Sequence, residues 1–376
     1  MLDRQKLKIY DKDIGACSIF GAMNTDGRVF AGDGVIKAIA NMYVRANGLG
    51  GGFAIYGIYP DYNDCYALHL MFESDKAKKD VDCFLNTNFD IIFDEAIPTN
   101  DKVRLPSPPI MWRYFVLPKN TGGISHDDYI VRNVMYINTK IPDAYVFSSG
   151  KNMGVFKGLG YPEDVARYFM LDAYRGYIWV AHGRFPTNTQ GWWGGAHPLG
   201  ILDCTVAHNG EISSYGTNRR YLEMHGYHCT LHTDTEVMAY AVDLLMRKRN
   251  LPLKIIAEIF APPVWEVIEH EEEKRKRMLT ILRRTYPDLL MNGPFSVIIA
   301  HHGEMIGLTD RIRLRPLTVG VKGDMTYLSS EESAIRLISD RLDQVWTPDG
   351  GEPVIIRLKM KEDKEDRENY EIVSST

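Results

Sequence analysis

The sequence predicts an α+β protein whose sheets are mainly antiparallel, and three observations lead to this prediction. Apolar runs bounded by glycines, such as Ser18 to Ala22 and Gly52 to Tyr59, have the length and composition of buried strands. Pro294 to Ala300 and Glu304 to Leu308 flank His301-His302-Gly303 as the two strands of a hairpin. Strands often follow one another without an intervening helix, which favours antiparallel sheets over a doubly wound fold.

Helices are predicted from residue spacing and from start signals. Asp33 to Tyr43 carries apolar residues at helical spacing. Pro162-Glu163-Asp164 opens a second helix, because proline and acidic residues suit a first helical turn. Thr233-Asp234-Thr235-Glu236 has the composition of a capped N-terminus, and a helix is predicted from Val237 to Met246. Residues 61–150 are less regular and are expected to form an inserted segment or a small lobe.

Composition narrows the class of protein. The 376 residues are 45% hydrophobic and 25% charged, as is usual for globular proteins, and the net charge of −5 gives no basic field for nucleic acid. No window reaches the roughly 18 apolar residues of a membrane span, and residues 1–16 lack the apolar core of a secretory signal. Five scattered cysteines predict a reduced, cytoplasmic protein without disulfides. No cofactor is expected, since no flavin phosphate loop or iron–sulfur cysteine cluster is present.

The segment His182 to Thr189 follows a predicted strand and contains a candidate anion clamp. The Arg184 guanidinium can hold a planar carboxylate through two hydrogen bonds, which a lysine cannot do. Thr187 and Asn188 add neutral donors beside it. The alternative is that Arg184 forms an ordinary surface salt bridge.

A second segment, Ala207 to Ile212, also follows a predicted strand. The Asn209 side-chain amide and the Gly210 N–H can both donate to a developing oxyanion, although Asn-Gly is also the commonest hairpin turn. Asp234 is a candidate ligand for a substrate ammonium group, and its alternative role is a helix N-cap. Arg184 and Asp234 together would recognise an α-amino acid.

Cys17 is the candidate nucleophile. Most cysteines in this setting are small buried hydrophobic residues, and no base lies near Cys17 in the sequence. A free thiol has a pKa of about 8.5 and needs a base near neutral pH. Cleavage between Ala16 and Cys17 would create an α-amine with a pKa of roughly 7.7–8.0 on the nucleophilic residue itself.

Three further patterns are given structural interpretations. His225-x-x-His228-Cys229-x-x-His232 resembles metal-ligand spacing, but its strand-like character argues against a shared ligand face, and no metal is predicted. The glycines from Gly48 to Gly52 precede a strand and so favour close backbone packing over phosphate binding. Trp192-Trp193 is expected to pack a loop, with a lid over the site as the alternative.

These residues resemble a class II, N-terminal-nucleophile glutamine amidotransferase, and specifically the amidotransferase domain of glutamate synthase. Cys17 matches the family's nucleophile, Arg184 to Thr189 its Arg-Phe-x-Thr-Asn-Thr segment, and His208 to Ile212 its His-Asn-Gly-Glu-Ile segment. Asp234 matches the aspartate of its Ser/Thr-Asp-x-Glu segment.

Two longer stretches make the resemblance to glutamate synthase more specific. They are Phe156-Lys157-Gly158-Leu159, followed by Pro162-Glu163, and Asp310-Arg311 with Leu314-Arg315-Pro316-Leu317. Many class II relatives carry a histidine where Asn188 stands, which also favours the glutamate-synthase branch. The similarity covers about residues 15–335 and is weakest over residues 61–150.

The resemblance implies an N-terminal-nucleophile hydrolase fold, which is a four-layer αββα sandwich of two mainly antiparallel sheets, here with an inserted segment. The domain organisation expected from it is a propeptide at residues 1–16 and an amidotransferase domain at 17–358. The insertion would lie at about 61–150, and residues 359–376 would form a charged tail.

The resemblance also implies a reaction: Cys17 attacks the glutamine side-chain amide, releases ammonia and forms a thioester that water hydrolyses. Arg184 would hold the α-carboxylate and Asp234 the α-ammonium, while Asn209 and Gly210 bind the oxyanion. The chain ends where a glutamate synthase would continue, so a stand-alone subunit serving a separate flavin-containing glutamate synthase subunit is expected. The alternatives are a non-catalytic glutamine sensor with an unprocessed N-terminus and an amidase acting on another amide.

Overall fold

The computed structural model describes residues 16–186 and 191–359. Strands and helices alternate irregularly along these residues. The strands are β1 (Ser18–Asn24), β2 (Phe30–Ala31), β3 (Gly51–Tyr56), β4 (Tyr66–Phe72), β5 (Phe89–Ala96), β6 (Ile110–Pro118), β7 (Ala144–Ser148), β8 (Met153–Gly158), β9 (Arg175–Gly176), β10 (Ile178–Gly183), β11 (Leu199–Ile201), β12 (Cys204–Gly210), β13 (Phe295–His301), β14 (Glu304–Thr309), β15 (Thr318–Lys322), β16 (Met325–Ser329), β17 (Gln344–Trp346) and β18 (Val354–Arg357).

The α-helices of the same residues are α1 (Asp33–Asn41), α2 (Asp75–Asn88), α3 (His126–Lys140), α4 (Pro162–Tyr168), α5 (Tyr215–Met224), α6 (Thr235–Asp243), α7 (Leu253–Phe260), α8 (Trp265–His270), α9 (Glu273–Thr285) and α10 (Glu332–Ile338). Helix α6 continues into a π-helical turn, Leu244–Lys248. Within these residues, no helix is both long enough and apolar enough to cross a membrane.

The largest sheet has seven strands in the order β17-β15-β16-β1-β10-β3-β8, and every neighbouring pair is antiparallel. Strand β1 lies at its centre and is buried along its whole length. The strand is apolar on both faces because both are buried: one face contacts a helix, and the other contacts a second sheet. The residue before β1, Cys17, is therefore carried to the edge of the core by the most central strand.

The second sheet has five antiparallel strands in the order β11-β12-β13-β14-β18. It packs face to face on the first sheet, with β1 and β10 against β12 and β13. The two sheets approach closely: a Cβ atom at Gly21 would lie 2.8 Å from the Met305 sulfur. Tyr56 crosses this interface, and its hydroxyl lies 2.7 Å from Thr205 Oγ1 and 2.8 Å from the Ala300 carbonyl.

Helices cover the outer faces of both sheets. Helices α1, α4 and α10 pack on the seven-stranded sheet, and α6 packs on β11 and β12 of the other with α5 beside it. The layers thus follow the order helix, sheet, sheet, helix. The predicted α+β class and four-layer αββα sandwich are confirmed.

The prediction of two main sheets is incomplete, because residues 66–148 build a further four-stranded sheet. Its order is β5-β6-β4-β7, and α2 and α3 pack against it. This lobe connects β3 to β8 of the large sheet. The sequence indicated only an inserted segment or a small lobe over residues 61–150 and no sheet, since most of β5 is solvent-exposed and lacks a clear apolar pattern. The assignment of domain limits and of an insertion stays a prediction.

Candidate active site

The register of β1 and β10 brings the candidate nucleophile to the candidate anion clamp. Ser18 pairs with Gly183 in this antiparallel ladder, so Cys17 and Arg184, the next residues outward, lie side by side. The Phe185 N–H donates a hydrogen bond to the Cys17 sulfur at 3.2 Å. Two segments far apart in the sequence are therefore joined at the thiol.

Arg184 is almost fully buried, with 4% of its surface exposed. The backbone N–H of Arg184 donates a hydrogen bond to the Gly50 carbonyl at 2.8 Å. A Cβ atom at Gly50 would lie 3.1 Å from Arg184 Cδ, and Gly50 has a φ of +149°, so the glycine run predicted for close packing does pack closely here. A guanidinium held this tightly is positioned for one ligand geometry.

The five-stranded sheet contributes Asn209 and Gly210 at the end of β12. The Asn209 amide nitrogen donates to Ser330 Oγ at 3.3 Å, and that oxygen also accepts the Ile19 N–H at 3.1 Å. Asn209 thus reaches across to the large sheet two residues from Cys17. At Gly210, a Cβ atom would lie 1.9 Å from the Pro294 carbonyl oxygen, so only glycine fits there.

Asp234 stands at the N-cap position of α6, but its side chain makes no capping hydrogen bond. Its Oδ2 atom instead accepts the Ile212 N–H at 2.8 Å, and Oδ1 lies 3.7 Å from His208 Nδ1. Burial alone would raise the pKa of Asp234, but His208 and the Ile212 N–H hold this pKa below its usual value. A charged carboxylate therefore faces the site, and the capping alternative is not what the structure shows.

Cys17, Arg184, Gly210 and Asp234 all line one cavity of about 420 Å³, a size suited to a small polar molecule. Asn209 is fully buried. Thr187 and Asn188 lie outside the described residues, as do residues 1–15 of the expected propeptide. The full lining consists of Cys17, Arg184, Phe185, Pro186, His197, His208, Gly210, Glu211, Ile212, Tyr215, Arg219, His232, Thr233 and Asp234.

The surroundings of Cys17 keep its thiol protonated at neutral pH. Burial raises the pKa of Cys17, while the Phe185 N–H and the Arg184 charge partly oppose this rise. Asp234 adds to it, because a nearby carboxylate disfavours a thiolate. The arrangement therefore needs a base close to the sulfur before the thiol can act as a nucleophile.

Three buried histidines, of which His197 and His208 line the cavity, were missed as site residues by sequence reasoning. The ring centroids of His182 and His197 are 4.3 Å apart, and those of His197 and His208 are 6.4 Å apart. Burial lowers the pKa of His182 to about 3 and that of His197 well below its usual value, so both rings are neutral. His182 and His208 open the two segments singled out above, whereas His197 carried no sequence signal.

These histidines fix the backbone around the site. The Nε2–H of His182 donates to the His208 carbonyl at 2.9 Å, which joins the two sheets. His197 Nε2 lies 3.2 Å from the hydroxyls of both Thr233 and Thr235, on either side of Asp234. Their role in this structure is to align strand ends.

The tryptophan pair and the spaced histidines form no catalytic centre of their own among the described residues. Trp192 and Trp193 pack a loop as predicted: their indole N–H groups donate to the carbonyls of Leu231 and Pro106 at 3.1 and 2.9 Å. Over residues 16–186 and 191–359, no group of three or more His, Cys, Asp or Glu side chains could hold a metal ion.

Comparison with known proteins shows which family this is. A family model described as class II glutamine amidotransferases matches residues 21–375. The chain belongs to this family. The match confirms the family that the sequence motifs predicted.

One similar protein matches nearly the whole chain, whereas two enzymes match about half of it. An uncharacterised protein of Archaeoglobus fulgidus is 61% identical, over 95% of this chain and 96% of its own length. Glutamine–fructose-6-phosphate aminotransferase (isomerizing) of Zymomonas mobilis is 30% identical, over 48% of this chain and 29% of its own length. Amidophosphoribosyltransferase of Methanocaldococcus jannaschii is 27% identical, over 50% of this chain and 35% of its own length.

Among solved structures, the glutamine phosphoribosylpyrophosphate amidotransferase of Bacillus subtilis is similar, with a TM-score of 0.46 and 15% identity. The match covers 91% of this chain and 47% of that protein.

Proposed function

We propose that this protein hydrolyses glutamine to glutamate and ammonia through a thioester on Cys17. The observation that carries the proposal is the cavity in which a thiol, a buried guanidinium and a carboxylate of lowered pKa converge. Arg184 offers two donors to an α-carboxylate, and Asp234 offers an acceptor to an α-ammonium group. These opposite charges fit a free α-amino acid and leave its side chain to reach the sulfur.

The proposed reaction has two steps. The Cys17 sulfur attacks the amide carbon, the C–N bond breaks, and the thiol proton leaves with the nitrogen as ammonia. Water then attacks the thioester, the C–S bond breaks, and the sulfur recovers its proton as glutamate leaves. The Asn209 amide and the Gly210 N–H would hold the oxyanion in both steps, and donors of this kind contribute roughly 3–4 kcal/mol each.

Activation of the thiol is proposed to depend on cleavage after Ala16. Because burial raises the pKa of the Cys17 thiol, a base is required at the sulfur. The α-amine released on Cys17 has a pKa of roughly 7.7–8.0 and would lie within reach of its own side chain. It would take the thiol proton in the first step and return it to the leaving nitrogen.

The experiment that tests this function combines turnover with mass. We expect the purified protein to convert glutamine to equal amounts of glutamate and ammonia, and its intact mass to lack residues 1–16. Full-length mass together with glutamine binding but no turnover would instead identify a glutamine sensor. Turnover of amides that lack a free α-amino acid would identify an amidase of another specificity.

We further propose that the ammonia passes to a separate flavin-containing glutamate synthase subunit that converts 2-oxoglutarate to glutamate. Free ammonia in neutral water is largely protonated and is then no nucleophile, so a protected path to an acceptor is needed. Support comes from the resemblance of Phe156 to Leu159 and of Asp310 to Leu317 to glutamate synthases.

Capture of the native complex tests this partner. We expect the tagged protein to retain a flavoprotein from native extract, and the complex to consume 2-oxoglutarate only when glutamine is present. A variant that lacks the thiol, Cys17→Ala, should retain the same partner but support no transfer from glutamine. Recovery of a sugar-phosphate or nucleotide-precursor enzyme would overturn the choice of acceptor and leave the glutaminase assignment standing.

A further inference from the structure

Lys157 is a fully buried lysine for which the proposed reaction has no use. It lies on β8, in register with Gly52 of β3, which is in turn in register with His182 of β10. Only 1% of its surface is exposed, and its Nζ atom donates to the Gly194 carbonyl at 2.8 Å. Its Nζ atom also lies 5.7 Å from the centroid of the Phe147 ring. Burying an ammonium group is costly, and no carboxylate of the described residues forms a salt bridge with it, so its position calls for an explanation.

The loop that Lys157 holds is the one that packs against Arg184. Gly194 follows Trp192 and Trp193, and a Cβ atom at Gly195 would lie 2.9 Å from Arg184 Nη1. The backbone of this loop is thus in direct contact with the guanidinium. Any shift of the loop would shift the group proposed to bind the α-carboxylate.

The same loop is tied to the segment that carries Asp234. The Trp192 indole N–H donates to the Leu231 carbonyl, and the Leu231 N–H donates to Glu236 Oε2 at 2.8 Å. Glu236 also accepts the Thr230 N–H at 3.0 Å and lies two residues after Asp234, in the first turn of α6. Like Lys157, Glu236 is 1% exposed.

We propose that Lys157 and Glu236 are positioning residues that fix the distance between Arg184 and Asp234, the pair proposed to hold glutamine and here called the glutamine clamp. Lys157 acts from the Arg184 side and Glu236 from the Asp234 side, and Trp192 links the two. This inference rests on the proposed function, since it assigns a purpose to the clamp. Burial lowers the pKa of Lys157 to about 7 and raises that of Glu236 to about 7, while each charge partly offsets the effect on the other. Burial of two ionisable side chains contributes little to the stability of a fold, so their position beside one site fits a role in aligning Arg184 and Asp234 better than a role in stability.

The test separates the clamp from the thiol by using two reagents on the mature protein. The diazoketone analogue of glutamine needs the clamp to reach Cys17, whereas iodoacetamide needs only the thiol, and both adducts are measured on the Cys17 peptide by mass. We expect Lys157→Met to slow the diazoketone about 10-fold or more and to raise KM for glutamine similarly, with kcat and the iodoacetamide rate within about threefold of the wild type.

A second variant covers the case in which Lys157→Met does not fold. Trp192→Phe keeps most of the ring packing but loses the bond to Leu231, and we expect the same pattern at about threefold or more. Trp112→Phe is its matched control, because the indole bond that it loses, to Asp94, lies within the lobe, and it should leave the diazoketone rate unchanged. Equal slowing of both reagents, or unchanged diazoketone rates in both test variants, would overturn the proposal. Failure of the diazoketone to label the wild type would overturn the proposed function instead.

Discussion

Cys17→Ala is expected to abolish glutamine hydrolysis, lowering kcat by at least about 10⁴-fold, because removal of the nucleophile leaves no thioester route. Glutamate release in a coupled assay measures the effect. Cys83→Ala is the matched control: this thiol is exposed on α2 in the lobe, and its loss should leave kcat unchanged. Turnover that survives in Cys17→Ala would refute the assignment of the nucleophile.

Because the same substitution could also prevent maturation, a second form of the protein separates the two effects. A gene that begins with Met directly before Cys17 yields an N-terminal cysteine after removal of the initiator. We expect this form to be active without residues 1–16 and its alanine counterpart to be inactive. Activity in the full-length protein with residues 1–16 demonstrably retained would show that the α-amine is not the base.

Arg184→Lys and Asp234→Asn are each expected to lower kcat/KM for glutamine by one to two powers of ten, or about 1.4 kcal/mol per power. The lysine keeps the charge but loses the two-pronged geometry, and the asparagine keeps an acceptor for the Ile212 N–H but loses the charge. Steady-state kinetics measure both effects. Arg132→Lys, an exposed change on α3, is the control and should have no effect.

A substrate analogue assigns the two ends of the clamp. 4-Carbamoylbutanoate is glutamine without its ammonium group, and the wild type should strongly prefer glutamine over it. In Asp234→Asn this preference should largely disappear, whereas in Arg184→Lys it should persist. If both variants retain the wild-type kcat/KM, the amino-acid pocket is misassigned, whether or not Cys17 is the nucleophile.

The sequence was sufficient to predict the fold class and four of the residues that line the cavity, which are Cys17, Arg184, Gly210 and Asp234. The first three of them each stand at the end of a run of buried strand residues, and strand ends of the two packed sheets lie close together here. Asp234 was recognisable because it matches the aspartate of the family's Ser/Thr-Asp-x-Glu segment. These signals lie in short segments, so they can be recognised from one sequence alone.

Other parts of the site depend on contacts that no local pattern encodes. His197 is aligned with His182 and His208 only after the two sheets have packed, and its own segment resembles an ordinary loop. Lys157 looks like a polar residue of an exposed strand until the 191–197 loop buries it. Residues 61–150 were expected as an inserted segment or a small lobe, but their sheet was not predicted, because the exposed edge strand β5 lacks strict alternation.

The division of the site between two sheets has a consequence for how this protein evolves. The proposed nucleophile, Cys17, precedes β1 in one sheet, and the proposed oxyanion donors, Asn209 and Gly210, belong to β12 in the other, with the Asn209–Ser330 hydrogen bond between them. A slide of about 1 Å between reacting groups is enough to cost a large factor in rate. If the proposed reaction holds, residues such as Met305, packed against Gly21 between the sheets, come under selection for turnover as well as for stability. In a protein that only binds a ligand, such core positions would tolerate substitution more readily. Here the proposed reaction would limit substitutions at positions that do not contact the substrate.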